Sequence, residues 1–177
     1  MIRVGSTRLT CLLGQPVSHS ISPAMHNLSF EKLGLDYSYL AFDIAESQIE
    51  YALNALKLLN CRGFNLTMPL KQAVIPYLDE ISDAAKLSNS VNTVVIEDGL
   101  LKGFTTDGIG YMNSLRDKNI YIENKVMTLL GAGCAATSVA TQAALDGVKE
   151  IRIFKRNNAS FQKVIAFASE LTQKSNC

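Results

Sequence analysis

One stretch constrains this chain more than any other: Val126-Met127-Thr128-Leu129-Leu130 running directly into Gly131-Ala132-Gly133-Cys134-Ala135-Ala136. Five residues without a charge, rich in branched side chains, read as a strand buried on both faces of a parallel sheet. Glycines at 131 and 133 permit a tight turn behind that strand and a close approach of backbone N–H groups to a ligand. A helical pattern then runs to about Asp146, Gly147 stops it, and Glu150–Phe154 reads as a second strand. A strand, a crossover helix and a second strand within ~30 residues make a βαβ unit, and its two strands must be parallel. An all-helical bundle or an antiparallel sandwich has no place for such a unit. The fold class expected is α/β.

The turn between strand and helix has a chemical use. Backbone N–H groups and the positive end of the helix dipole converge there, which suits a pyrophosphate. Ala136 stands where the third glycine of a G-x-G-x-x-G fingerprint would be, a replacement that the pattern tolerates. No Gly-Lys-Ser/Thr follows, so a Walker-type loop is excluded. The alternative is a purely structural turn. The end of the second strand bears on which nucleotide would bind. An NAD site places a carboxylate there for the ribose 2′-hydroxyl, whereas this chain has Lys155-Arg156-Asn157-Asn158. Two cations suit a 2′-phosphate, which an arginine can grip through two parallel hydrogen bonds. The cofactor expected is NADP, with NAD as the alternative, held by Gly131, Ala132, Gly133, Cys134, Ala135, Lys155, Arg156, Asn157 and Asn158. A solvated loop with incidental charge is the competing account of the basic pair. Cys134 is read as a residue small enough to fit, with a reactive thiol at the helix start as the alternative.

Composition removes several function classes. Of 177 residues, 47% are hydrophobic and 19% charged, with 17 Lys+Arg against 16 Asp+Glu. That is no disordered chain, and a formal charge of +1 leaves no footprint for nucleic acid or an anionic membrane surface. No apolar run approaches the ~20 residues of a membrane helix, and the cytoplasm is the expected setting. Cys11, Cys61, Cys134 and Cys177 are too widely spaced for a zinc site and are expected to be reduced, small apolar residues. No metal is expected.

Before this unit, strands are expected over residues 7–13, 37–44, 63–66 and 92–96, and over Leu100–Phe104. Helices are expected over 23–34, 46–60, from Pro69 onward, and over 108–116. Met25, Leu28 and Leu33 recur at helical spacing in the first helix, and Ile49, Leu53, Leu56 and Leu59 in the second. Asp98-Gly99 between apolar runs signals a tight hairpin. The polar stretch 117–125 is the expected domain boundary. After it come two strands and two helices, the last near 160–172, where a complete dinucleotide-binding sheet has about six strands. The chain is therefore expected to be either a fragment of a longer enzyme or one with a truncated second domain, and, if 177 residues are the whole, to have an exposed strand edge and poor stability.

Four polar segments fall at expected element ends: Ser18-His19-Ser20-Ile21-Ser22-Pro23, Asn65-Leu66-Thr67-Met68-Pro69-Leu70-Lys71, Ser90-Val91-Asn92-Thr93 and Thr105-Thr106-Asp107-Gly108. Loops beyond strand ends can converge on one cleft. Taken singly, Ser22 reads as a helix N-cap, Asp107 as a cap of the helix from Gly108, and Lys71 as a surface lysine.

Together these segments resemble the shikimate dehydrogenase family. The motifs Ser20-x-Ser22-Pro23-x-x-His26-Asn27, Asn65-x-Thr67-x-Pro69-x-Lys71, Val91-Asn92-Thr93 and Thr106-Asp107-Gly108 stand in that family's order and spacing, ahead of Gly131-Ala132-Gly133. The likeness is greatest to the quinate/shikimate dehydrogenase branch, also through Leu129-Leu130 and Lys149-Glu150-Ile151. The resemblance implies an α/β substrate-binding and catalytic domain over 1–116, followed over 117–177 by the first part of a Rossmann-type NAD(P)-binding domain. It implies oxidation of shikimate to 3-dehydroshikimate, with quinate to 3-dehydroquinate as a second activity, and a place in aromatic amino acid biosynthesis. Ser20 and Ser22 would bind the substrate carboxylate. Thr67, Asn92 and Asp107 would bind ring hydroxyls, with Thr106 and Tyr39 in the same pocket. Lys71 and Asp107 would flank the hydroxyl that is oxidised. Two departures stand out: Thr105 where the family often has Asn, and Thr67 where the quinate-accepting branch often has Ser, which leans towards shikimate.

These residue types fit alcohol oxidation. The nicotinamide accepts a hydride, and a protein group must take the hydroxyl proton. No histidine is placed for that, so the Lys71/Asp107 pair is the available equipment. Lys71 is either the base or the cation that stabilises developing alkoxide. The competing functional reading is a truncated module that binds the substrate without turnover. A structural α/β protein without a ligand is the blandest one. The expected partner is a small polyhydroxy cyclic carboxylate, with neither nucleic acid nor membrane, and a homodimer is left open.

Overall fold

The computed structural model describes residues 4–175 and Cys177. The chain packs as two compact units. One holds Met1–Ile81 and Val91–Phe104, the other Ser82–Ser90 and Thr105–Cys177. This division departs from a boundary at the polar stretch 117–125, because the helix just before that stretch packs with the second unit.

The first unit is built on a six-stranded mixed sheet. Its strands are β1 (Arg8–Gly14), β2 (Tyr37–Asp43), β3 (Gly63–Leu66), β4 (Glu80–Ile81), β5 (Thr93–Glu97) and β6 (Leu100–Phe104), in the order β2-β1-β3-β5-β6-β4. β1 runs parallel to β2 and β3, and β3 runs antiparallel to β5. The β5–β6 hairpin turns at Asp98 (φ 52°) and Gly99 (φ 77°), both left-handed as a two-residue loop requires. The central strands are buried: Cys11 and Leu13 of β1, and Phe64 and Leu66 of β3, are at most 3% exposed.

Helices α1 (Ser22–Lys32), α2 (Ile49–Leu58) and the one-turn α3 (Leu70–Ala73) complete this unit. In α2 the apolar stripe is buried at Ile49, Leu53 and Leu56, but Leu59 lies past its end and is exposed. In α1 the expected stripe is not buried: Met25, Leu28 and Leu33 are more than half exposed. What holds α1 to the sheet is polar and aromatic. The Asn27 side chain donates to the Tyr39 carbonyl and accepts from the Tyr39 N–H, both at 2.9 Å. The His26 ring stacks on the Tyr39 ring, 4.2 Å between centroids.

The second unit contains α4 (Asp83–Ser88), α5 (Asp107–Arg116), β7 (Val126–Leu130), α6 (Cys134–Leu145), β8 (Glu150–Phe154) and α7 (Phe161–Lys174). β7 and β8 pair in parallel, residue 126 opposite 150 through 130 opposite 154, so the βαβ reading holds. Burial on both faces of β7 does not: Val126 is 47% and Leu130 86% exposed. A two-stranded sheet offers little to cover, and only the alternate residues Met127 and Leu129 pack inward, against Ala140, Ala143 and their neighbours. α5 lies against α6 through Gly108, where any Cβ would collide with the Ser138 carbonyl oxygen. α4, which the sequence did not announce, is capped by the Ser82 hydroxyl accepting from Ala85 N–H at 3.3 Å and ended by left-handed Asn89. It buries Leu87 among Ala140, Ala144 and Leu171. None of these helices is long and apolar enough to cross a membrane.

Candidate active site

Strand directions bring the polar segments of the first unit together. Because β3 is parallel to β1 and antiparallel to β5, the end of β1, the end of β3 and the start of β5 share one end of the sheet. From that end lead the loop with Ser20 and Ser22, the segment with Thr67 and Lys71, and Asn92. Gly14, the last residue of β1, makes the meeting possible. A Cβ there would collide with Thr67 Cγ2 and lie 3.0 Å from the Met68 carbonyl oxygen. The two segments are then stitched: Gln15 N–H donates to Met68 C=O at 3.0 Å, and Thr67 N–H to Leu13 C=O at 2.9 Å. Val91 N–H donates to the Lys71 carbonyl at 2.9 Å, which ties α3 to the residue before Asn92.

Side chains within this frame are held by specific partners. Ser22 opens α1, and its N–H donates to Ser20 Oγ at 3.2 Å. The hydroxyl that serves the helix start is therefore that of Ser20, and Ser22 makes no side-chain cap. Tyr39 is 2% exposed, so it does not line an open pocket. Its hydroxyl donates to Asn65 Oδ1 at 2.8 Å, and burial raises its pKa well above the ordinary tyrosine value. Burial also lowers the pKa of His26. Asn92 is 8% exposed, and its Oδ1 accepts from Thr93 Oγ1 at 3.1 Å. Lys71 is half-buried in α3.

Thr106 and Asp107 belong to the second unit. Asp107 is the first residue of α5, half-buried, and Thr106 precedes it without a side-chain cap bond. Thr105, which departs from the family pattern, shares a 3.0 Å hydrogen bond with Ser138 Oγ on α6.

The second unit also holds a cleft of about 490 Å³ at the ends of β7 and β8, lined by Leu130, Gly131, Ala132, Gly133, Phe154, Lys155, Arg156, Asn158 and Ser160. Gly131, at φ 113°, adopts a backbone conformation closed to other residues, and its N–H donates to the Phe154 carbonyl at 2.8 Å. That bond brings the glycine turn beside the basic pair. A Cβ on Gly133 would meet open space, so an incoming group has room against the backbone. Cys134, Ala135 and Asn157 lie outside the lining: residues 134 and 135 have already turned into the first turn of α6. Ser160 is a lining residue that the sequence reading missed. Asn158 Oδ1 accepts from its N–H at 3.2 Å and its hydroxyl at 3.0 Å, an Asx turn for which Asn-x-Ser was the available signal.

Residues 12–94 match the family described as the shikimate dehydrogenase substrate binding domain. A shikimate dehydrogenase (NADP(+)) of Alkaliphilus metalliredigens is 52% identical over 90% of this chain and 56% of its own length. A crystal structure of shikimate 5-dehydrogenase from Listeria monocytogenes, in complex with shikimate and NAD, superposes with a TM-score of 0.96 at 44% identity, covering 100% of this chain and 61% of that one. A shikimate dehydrogenase structure in complex with NADP+ gives 0.91 at 39% identity, covering 99% and 59%. The chain thus spans about three-fifths of the length of the relatives it matches. Over nine-tenths or more of its length, the chain is similar to shikimate dehydrogenases.

Proposed function

We propose that this chain carries the substrate-binding domain and the first part of the nucleotide-binding domain of an NADP-dependent dehydrogenase interconverting shikimate and 3-dehydroshikimate. The observation that supports this most is the gathering of Ser20, Ser22, Thr67, Lys71 and Asn92 at one end of the six-stranded sheet, stitched by backbone hydrogen bonds. Ser20 and Ser22 hydroxyls, beside the N-terminus of α1, suit a carboxylate. Thr67 and Asn92 suit ring hydroxyls. Lys71 and Asp107 handle the proton of the oxidised alcohol, Lys71 as base or as the cation beside the developing alkoxide.

The cleft with Gly131 and Gly133 fits a pyrophosphate against bare backbone, and Lys155 and Arg156 at its rim fit a 2′-phosphate. When bound, the nicotinamide supplies the hydride acceptor. The same cleft would admit NAD, since its glycine turn does not distinguish the two.

The test is NADPH formation from shikimate by the full-length protein and its Lys71→Ala variant. The variant is expected to lose at least about a hundredfold in kcat with KM little changed. A rise in KM alone would reassign Lys71 to binding. Quinate in place of shikimate is expected to turn over more slowly, given Thr67. The 56–61% span keeps a second reading, a module that binds shikimate without turnover. Binding without NADPH formation by the full-length protein would select it.

A further inference from the structure

Three polar side chains of the first unit form a one-way chain of hydrogen bonds that ends on Asn92. Register puts them on one face of the sheet. Tyr39 stands beside Thr10 of β1, Asn65 beside Leu12, and Thr93 beside Asn65, so all three share the parity of Thr10 and Leu12. The Tyr39 hydroxyl donates to Asn65 Oδ1 at 2.8 Å. With its oxygen committed, the Asn65 amide turns its Nδ2 the other way, donating to Thr93 Oγ1 at 3.0 Å and to the Asn92 carbonyl at 3.3 Å. Thr93 Oγ1, already accepting, spends its single hydrogen on Asn92 Oδ1 at 3.1 Å.

The direction of such a chain is set by the Asn92 backbone carbonyl, which can only accept: the Asn65 Nδ2 must face it, and the Asn65 oxygen is left to accept from the Tyr39 hydroxyl. The Tyr39 backbone is clamped on both sides by Asn27, and its ring is stacked on His26. Turning the Asn65 amide over would set its oxygen against the Asn92 carbonyl, two acceptors face to face, a loss comparable to a broken buried hydrogen bond.

We infer that Tyr39, Asn65 and Thr93 are positioning residues that lock the Asn92 carboxamide with its oxygen inward, so that Asn92 meets a ligand as a hydrogen-bond donor. The ligand atom it reads is then an oxygen that can accept, a condition met by both an alcohol and the ketone it becomes. This rests on the reading of Asn92 as a substrate residue. The amide orientation itself can be measured without any ligand.

The experiment pairs Thr93→Val, which keeps the shape and removes the hydroxyl, with Thr93→Ser, which restores it, and adds Tyr39→Phe. Side-chain amide ¹⁵N NMR of the ligand-free protein reads the order of the Asn92 NH₂ group, and calorimetry reads shikimate affinity. Thr93→Val and Tyr39→Phe are expected to lower the order of the Asn92 amide. Thr93→Val is further expected to weaken shikimate about tenfold, the loss of roughly one hydrogen bond's orientation, with Thr93→Ser restoring both. An Asn92 amide equally ordered in wild type, Thr93→Val and Tyr39→Phe overturns the inference, as does recovery failing in Thr93→Ser. If shikimate does not bind the wild-type protein while the amide responds as stated, the function proposed above falls and the relay stands.

Discussion

At the scale of single residues, the motif Ser20-x-Ser22-Pro23-x-x-His26-Asn27 divides its labour. Its first serine accepts from the N–H of the second at the start of α1, while its last two residues fasten α1 to Tyr39. The sequence showed that the residues recur together but not that two of them are structural, since a histidine beside an asparagine reads equally well as chemistry. His26 gives this division a consequence in pH. Burial lowers its pKa in the folded protein, and the unfolded value is about 6.5. The folded state therefore favours the neutral ring. Its stacking contribution is complete above about pH 6.5 and is lost as pH falls through that value to the lower, folded one, because the unfolded chain takes up the proton first. His26→Phe keeps a ring on Tyr39 and has no proton to gain. The gap in melting temperature between this variant and wild type is expected to widen, in the variant's favour, between pH 7.5 and 5.5. A gap that stays constant over this range would show that the ring is no less willing to ionise in the folded protein.

At the scale of elements, local signals were strong where one chain segment decides the outcome. The Asp98-Gly99 hairpin, the stop at Gly147 and the pairing partners around α6 follow from turn chemistry and from periodicity. What local pattern could not carry is which apolar face finds a cover. Met25, Leu28 and Leu33 have the spacing of a buried stripe yet stay exposed, and β7 is apolar yet buries only alternate residues. The short α4 was missed because six residues leave no period to read, although Ser82 and Asn89 mark its two ends. α6 shows how close packing constrains an element. Thr141 on this helix is fully buried, and among the described residues its Oγ1 has no hydrogen-bond partner. A hydroxyl desolvated without compensation costs on the order of 1–3 kcal/mol, whereas a methyl of the same shape costs nothing there. Thr141→Val is therefore expected to raise stability by about 1 kcal/mol, read as a higher denaturation midpoint with an unchanged slope. A lower midpoint would mean that the hydroxyl has a use within the folded unit.

At the scale of the whole molecule, the sequence located two kinds of architecture but not where they part. The polar stretch 117–125 had the composition of a linker, yet the packing divides between Phe104 and Thr105 and sends the segment Ser82–Ser90 with the second unit. The reason is contact between residues far apart in sequence: Leu87 meets Leu171, and Gly108 meets Ser138. No window of the sequence contains both partners. The two units also differ in how their sheets are finished, and that difference is measurable. β1 and β3 are interior strands, with a neighbour on each side and with Cys11, Leu13, Phe64 and Leu66 buried along them. β7 and β8 pair only with each other among the described residues, so half of the amides in each strand face away from a partner. Exchange of backbone amides follows the openings that expose them, and interior strands open only with the whole unit. The amides of Leu13 and Leu66, which donate within or beside the sheet core, are expected to exchange at the rate of global unfolding of the first unit. In β7 and β8, alternate amides are expected to exchange orders of magnitude faster, with α6 intermediate because Ala140 and Ala143 are buried along it. Mass-resolved hydrogen exchange of the 177-residue chain tests this. Uniform protection across β7 and β8 would mean that both of their edges are paired in solution, and the exposure of Leu130 and Phe154 would then have to be redrawn around that pairing.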